Sequence, residues 1–451
     1  MSAKIKEGEN MTEKLTFLKL YHPWQYDPFS DPPLGLLSVA AQARKSGLEV
    51  SLLDQAFQKD IPESDFYGLS ATTLEYPEAI KQALRIRREQ PQAKIIAGGV
   101  HFDVIPEDYW KENILTLPFD MICRGEGEAT IIPAITSLVM GASKRVITSP
   151  HLLDLDTLDT PARDLLDRER YFVPGKTFSG VEIKGNSSTV MVSRGCPHAC
   201  GFCASPTLHH KRVRFRSLEN TMEELEELKN KYGVASLRWQ DDNLPIIIKK
   251  YAALVPFLQN SGIYSRGSAR TDSVSNAMLG LLWQAGFREL GFGIESAEQQ
   301  VLNHVSKGTT VGQNAYALQL TKQAGFKTRA FIMTGLPGET RDSANMMINF
   351  LEDTKPDVVT LTSFIPLPGS AIYMNPEKYG VKILTKDWSR YDIAIKWDAG
   401  TEWTHELAGL SRDEMESNRE KLKAYIFNTG ISNVSVYNKK YGDGKLYNLA
   451  I

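Results

Sequence analysis

The 451-residue chain has little cysteine, almost no excess charge and no long apolar run, and each shortage removes a class of protein. Four cysteines are too few to staple a chain of this length, which excludes a disulfide-framed secreted domain and leaves the thiols for metal or redox use in a reducing compartment. Lysine and arginine number 52 against 54 aspartates and glutamates, a net charge of −2. So even a balance predicts no nucleic-acid partner. No eighteen-residue apolar stretch and no apolar leader with a small-residue cleavage site occur, so neither a membrane span nor a secretory signal is expected, and the cytoplasm is the expected location. The remaining composition, 42% hydrophobic and 24% charged, argues against extensive disorder, and the length allows two or three separate cores.

What is present is an α/β pattern that occurs twice. Residues 1–14 are polar and read as a loose terminus. Over residues 15–150, β-rich runs (LTFLKL, VSLLD, DFYGLSA, AKIIAGG, FDMICRGEGE) alternate with amphipathic stretches, the pattern of a parallel sheet wrapped by helices. The clearest helix is expected over Pro77–Gln90, with Ala79, Ile80, Ala83, Leu84 and Ile86 on its apolar side. Gly98 and Gly99 directly follow a strand, where open α/β sheets receive ligands. Cys123 sits in an apolar run and reads as a small buried hydrophobe. Residues 151–187 carry prolines and glycines without a sustained period and read as a linker. A second alternation of six βα-like units fills residues 188–375 and predicts a partial barrel, its first helix capped by Asn220 with Glu223. Residues 376–451 read as a small C-terminal extension.

Three of the four cysteines fall in SRGCPHACGFC, residues 193–203. Cys196, Cys200 and Cys203, spaced CxxxCxxC on a loop after a strand, can bind three corners of a [4Fe–4S] cluster and leave the fourth iron open. A zinc site completed by His198, His209 or His210 is the competing reading, and three inert thiols the plainest one.

This loop resembles the cluster motif of the radical S-adenosylmethionine (SAM) enzymes, and the likeness extends through WQDDN (239–243), SARTD (268–272), GIES (293–296), VSKG (305–308), TGLPGET (334–340) and IPLPGSAIY (365–373). The resemblance implies that Cys196, Cys200 and Cys203 hold the cluster while Asp241, Arg270, Glu295 and Ser296 orient SAM on the open iron. The N-terminal half resembles the cobalamin-binding, Rossmann-like domain fused to one branch of these enzymes, through residues 31–54, GLSATT (68–73), IIAGGVH (95–101) and ICRGEGEAT (122–130). By that likeness Thr72, Thr73, Leu74, Tyr76, Gly98, Gly99, His101, Gly125 and Glu126 border cobalamin. The Asp-x-His-x-x-Gly loop that supplies a histidine to cobalt in many such domains is absent. Leu74, Glu75 and Tyr76 are therefore the candidates to cover the lower face of cobalt, and His101 is expected at the corrin edge or the surface. A nucleotide-binding Rossmann domain is the runner-up, without its GxGxxG fingerprint.

The resemblance implies a C-methyltransferase acting on an unactivated carbon, with a reducing electron donor as partner. Cyclisation or ring rearrangement with the same cofactors is an alternative, and a non-enzymatic iron–sulfur binding or electron-carrying module another. The modest length and short C-terminal region resemble members that methylate a residue within a protein, such as the glutamine of methyl-coenzyme M reductase, so a peptide or protein substrate is expected, with a small molecule as the other option. The aromatic residues Tyr373, Trp388, Tyr391, Trp397 and Trp403 either line a peptide groove or pack a core.

Overall fold

The computed structural model describes residues 13–21, 27–143, 145–174, 183–392 and 402–431. The chain divides into two compact units. The first comprises Met1–Tyr21, Gly35–Leu152 and Leu158–Leu165; the second comprises His22–Leu34, Leu153–Thr157 and Leu166–Ile451.

The first unit is a six-stranded sheet of β1 (Lys14–Lys19), β2 (Glu49–Asp54), β3 (Phe66–Ser70), β4 (Lys94–Gly98), β5 (Met121–Arg124) and β6 (Arg145–Thr148), all parallel. Its order is β2-β1-β3-β4-β5-β6. Strands buried on both faces need continuous apolar runs, and β1 supplies one: Leu15, Phe17 and Leu18 are buried. Helices Leu34–Lys45, Tyr76–Glu89 and Gly127–Val139 connect the strands. The expected helix at residue 77 starts one residue earlier, and of its apolar positions Leu84 is exposed while Ala79, Ala83 and Ile86 are buried. Cys123 lies in the core with Phe17, Ile96 and Ile131, and burial pushes its thiol up to about 12. The segment expected as a linker is shared: Ala162 packs into this same core, and Leu166 onward belongs to the second unit. Lys14, expected in the terminus, is the first residue of β1. The rest of that terminus, residues 1–12, lies outside the described residues, as does 175–182 of the linker.

The second unit is built on a six-stranded parallel sheet, a half-barrel. Its strands are β7 (Asn186–Val190), which leads into a short antiparallel pair, β8 (Ser193–Arg194) with β9 (Arg214–Phe215), then β10 (Val234–Trp239), β11 (Tyr264–Ala269), β12 (Phe287–Glu295), β13 (Lys327–Thr334) and β14 (Val358–Ser363). The main sheet has the order β14-β13-β12-β11-β10-β7, so each strand sits beside its predecessor in the sheet, as a right-handed βα series requires. The helix after β9 spans Leu218–Tyr232, and its N-cap is Ser217, whose hydroxyl accepts from Asn220 N. Asn220, expected as the cap, lies inside the helix and accepts from Arg216 Nε at 2.6 Å.

In the C-terminal region β15 (Val381–Ile383) pairs antiparallel with β16 (His405–Leu407), and a helix over Arg412–Thr429 packs on the helix Ser343–Thr354. Trp403, Leu407 and Met415 share a core with Leu336 and Ile372 of the barrel. Tyr391 is buried too, and its hydroxyl donates to Thr385 O at 2.7 Å. Core packing therefore accounts for Trp403 and Tyr391. Trp397 lies outside the described residues.

Candidate active site

Two sets of residues gather at carboxyl ends of strands, one in each unit.

In the second unit the cysteine loop leaves β8 at Gly195. That residue has φ of +97°, and a Cβ there would stand 2.2 Å from Arg212 O, so only glycine makes the turn. Just upstream, Asp241 holds the corner. Its Oδ1 accepts from Val192 N at 3.0 Å and from both the backbone N and the hydroxyl of Ser193, at 2.5 and 2.6 Å. Asp241 is 3% exposed, and burial raises its pKa to about 7 against these hydrogen bonds. Asp241, expected to orient SAM, fixes the backbone leading to Cys196. Downstream, Gly201 N donates to Val305 O at 2.7 Å and Gly201 O accepts from Ile372 N at 2.9 Å, so the loop is pinned from two sides between Cys200 and Cys203.

The three thiols are half-buried and unpaired by disulfides. Burial pushes Cys196 up and Cys203 up to about 11, whereas coordination to a metal ion deprotonates a thiol outright. Among the described residues no three of histidine, cysteine, aspartate and glutamate converge as ligands of a single ion do. Thiolates of a cubane each take a different iron and have no need to converge. The donor set, three soft thiols on a pinned loop, fits an iron–sulfur cluster. His209, a candidate zinc ligand, is engaged by Arg214 at 3.3 Å.

Arg270 follows β11 and faces the loop. Its Nη1 donates to Cys200 Sγ at 3.7 Å and its Nη2 to Lys307 O at 3.0 Å, while Asp272 pairs with it at 2.8 Å. At the end of β12 the register with β13 shifts between Gly293 and Glu295, and Glu295 takes the left-handed conformation, φ +63°. Such bulges and strained residues re-aim side chains at functional sites. Here Glu295 Oε1 accepts from Lys307 Nζ at 2.7 Å, with both side chains 7% exposed. Gly293 makes the space: a Cβ on it would stand 2.3 Å from Glu295 Oε1 and 2.6 Å from Lys307 Nζ. Glu295 Oε2 is buried without a partner, an acceptor available for the amine or hydroxyls of SAM. Ser296 is buried, and its hydroxyl accepts from Glu298 N at 3.1 Å. Lys307 lies in the quoted VSKG stretch, but its partner is twelve residues away and across a bulge, so no local pattern announced the pairing. The GLPGE turn is closed by its own glutamate, whose carboxylate accepts from Gly335 N and Leu336 N.

In the first unit the strand order reverses at β1 and β3, the switch point where such sheets bind their ligand outside the strand ends. Thr72 and Val100 are exposed there, and Leu74, Gly98 and Gly99 half-exposed. Gly99 has φ of +97°, and a Cβ on it would meet Ser70 Oγ at 2.6 Å. Gly125 likewise has φ of +85° and lies 2.5 Å, Cβ to O, from Ser149. This low, glycine-lined and partly apolar ledge fits the flat corrin of cobalamin.

His101 is not at its edge. It is 1% exposed, its ring packed at a tilt against Tyr76 with centroids 4.3 Å apart and its Nδ1 3.2 Å from Thr73 Oγ1. Tyr76 is buried in the same aromatic group with Phe102 and Trp110. Both residues therefore support the ledge from beneath, and of the candidates for the lower face Leu74 and Glu75 stay accessible, Glu75 accepting from Thr72 N at 2.9 Å. Glu126 accepts from Leu152 N at 2.6 Å.

Comparison with known proteins agrees with this division. Residues 190–351 match the Radical SAM superfamily and residues 29–132 the B12 binding domain. An uncharacterised methyltransferase of Pyrococcus horikoshii is 27% identical over 389 residues, 80% of this chain and 81% of that protein. The anaerobic magnesium-protoporphyrin IX monomethyl ester cyclase of Rubrivivax gelatinosus is 24% identical over 397 residues, 80% of this chain and 69% of its own length. Among solved structures, the radical SAM methyltransferase TsrM of Kitasatospora setae, with cobalamin and a [4Fe–4S] cluster bound, superposes with a TM-score of 0.67 over 94% of this chain and 91% of its own, at 16% identity. No helix among the described residues is long and apolar enough to cross a membrane. With a thiol loop suited to a cluster in one unit and a glycine ledge at the switch point of the other, the chain carries a region matching the Radical SAM superfamily and one matching the B12 binding domain, and its cofactors are a [4Fe–4S] cluster, SAM and cobalamin.

Proposed function

We propose that the enzyme is a C-methyltransferase acting on an unactivated carbon. The observation that carries this reading is the presence of both domains in one chain, together with the likeness to a methyltransferase over four-fifths of each protein. When bound, the cofactors supply reductive cleavage of SAM and a methyl carrier. The chain's own residues do the rest. Cys196, Cys200 and Cys203 hold the cluster, Arg270 steadies the Cys200 sulfur, and Glu295, with its free oxygen, binds the amine or ribose of SAM. Leu74 and Glu75, the accessible candidates, would pack against the cobalamin. Thr72, Gly98, Gly99 and Gly125 border the corrin. The proposed functional limits are residues 15–150 for cobalamin, 188–375 for radical chemistry and 376–451 for the extension.

The proposed substrate is a glutamine residue in a peptide or protein, such as that of methyl-coenzyme M reductase, with a cytoplasmic reductant as electron donor. The test is turnover of candidate peptides and small molecules with SAM bearing a deuterated methyl group. Mass spectrometry is expected to show one labelled methyl on the product, with deoxyadenosine and S-adenosylhomocysteine both released. A product distinct from the substrate that lacks the label, alongside deoxyadenosine, selects the second reading, a cyclisation with its change of mass or a rearrangement that leaves the mass as it was. That reading is favoured by the likeness to the Rubrivivax cyclase.

A further inference from the structure

Beneath the cluster end, the half-barrel has a charged floor that the cofactor-binding residues do not require. Arg238 on β10, Arg266 on β11 and Glu289 on β12 are neighbours in register, and Arg329 on β13, opposite Gly291, reaches Glu289 by its side chain. Arg266 lies four residues before Arg270, so strand alternation puts it on the same sheet face and about 13 Å farther from the strand's carboxyl end. Glu289 is 2% exposed and accepts from Arg329 at 2.9 Å and from Arg266 at 3.3 Å. Asp31 accepts from Arg238 at 2.8 Å and from Gln240 at 3.1 Å.

The row holds three guanidiniums against two carboxylates, and its hydrogen bonding is uneven. Arg266 makes one hydrogen bond, to Glu289, and its Nε is buried with no partner. A guanidinium has five N–H donors, and leaving a buried donor unmet is costly. Burial accordingly pulls the Arg266 pKa down to about 10, despite Glu289. A cavity of about 30 Å³ lies against it, bordered by Arg238, Arg266, Ser268, Glu289, Arg329 and Phe331, large enough for the terminal oxygens of an anion.

Resting on the reading of the half-barrel as the domain that receives the substrate, we propose that this floor is an anion subsite: the substrate carries a carboxylate or phosphate held by Arg266 and Arg238, and its reacting carbon lies between that anchor and the cysteine loop. A third negative charge balances the row, and the planar fork of Arg266 suits two anionic oxygens. The substrate class is thereby narrowed to acidic molecules, or to peptides that present an acidic group beside the reacting residue.

The cluster-reconstituted full chain is titrated with acetate, with inorganic phosphate and with neutral acetamide, at ionic strength fixed by potassium chloride, and the melting temperature is followed. Acetate or phosphate, and not acetamide, is expected to raise it saturably, and the tighter of the two names the group. Arg266→Met is expected to weaken that response about tenfold or more, as loss of a charge-assisted hydrogen bond does, and Arg238→Gln, on the more open side of the cavity, to weaken it likewise. No saturable response to either anion, or one unchanged in both variants, overturns the proposal. Arg238→Gln alone decides if Arg266→Met does not fold. Deoxyadenosine release is recorded on the same samples. Its absence from the unsubstituted enzyme counts against radical chemistry, while the thermal response still judges the anion subsite.

Discussion

The two candidate cofactor sites are built from opposite materials. In the first unit the ledge is backbone and apolar side chain: Gly98, Gly99 and Gly125 keep it low, and the histidine beneath it is held neutral inside an aromatic group. In the second unit the three-thiol loop meets a guanidinium at Cys200, and a buried Lys307–Glu295 pair lies at the end of β12. A flat macrocycle is recognised by shape, so the first site fails when something is added. A cluster and a charged sulfonium ligand are recognised by donors and charge, so the second fails when something is removed.

The largest expected effect is removal of a donor. Cys203→Ala is expected to abolish the visible absorption of the reconstituted cluster and with it deoxyadenosine formation, while cobalamin still co-purifies. Loss of cobalamin together with the cluster would break the independence of the two sites. Next comes Lys307→Met, which leaves Glu295 buried beside a methyl group. Breaking one side of a buried pair costs about 3–5 kcal/mol, read as a lowered denaturation midpoint and as weakened SAM binding by the apo-substrate enzyme. Glu295→Gln with Lys307→Met together should recover part of that stability. In the first unit the matching change is an addition: Gly99→Ala forces a positive φ on a residue with a Cβ and pushes it against Ser70 and Ala71. Strain of about 1–3 kcal/mol is expected, with reduced cobalamin content and an unchanged cluster spectrum. A cluster spectrum altered by Gly99→Ala would contradict the contrast drawn between the sites.

How much of this could be read in advance follows from how local each feature is. The cysteine loop is legible because its three donors lie within eight residues, and the doubly wound sheet because hydrophobic runs and helical periods alternate along the chain. Asp241 was legible as a special residue in WQDDN, but its direction depends on β10 lying beside β7, which places it under Val192 and Ser193. The side chain read as a SAM contact also holds a turn. Ser217 and Asn220 each precede a residue that could complete a cap, and the choice between them was settled when Arg216 engaged Asn220. Asp31 and Arg238 are 207 positions apart, and no spacing rule reaches that far. His101 follows a glycine pair at a loop, which suggests exposure. The aromatic residues Tyr76, Phe102 and Trp110 draw it inward, because its ring has more to gain from packing than from water once its Nδ1 finds Thr73.

That inward turn gives the smallest and sharpest test of the contrast. Burial lowers the His101 pKa from 6.5 to about 3, so the unfolded chain binds a proton there that the folded chain refuses. The contribution of His101 to stability is complete above the unfolded value and is lost as the pH falls from about 6.5 toward about 3, at up to about 1.4 kcal/mol per pH unit. His101→Phe keeps the packing against Tyr76 and removes the proton, so its melting temperature should fall less steeply through that window than that of the unsubstituted chain. The second unit holds a group of opposite sign. Burial raises the carboxyl of Glu339 from 4.5 to about 8, so its contribution is complete below the lower value and is lost as the pH rises toward 8. Glu339→Gln, which keeps an acceptor for the GLPGE turn, should flatten the decline between about 4.5 and about 8 and leave the pH dependence below about 4.5 unchanged. If the acid limb is unchanged in His101→Phe, the ring is already protonated or exposed, and the ledge rests on a charged residue after all.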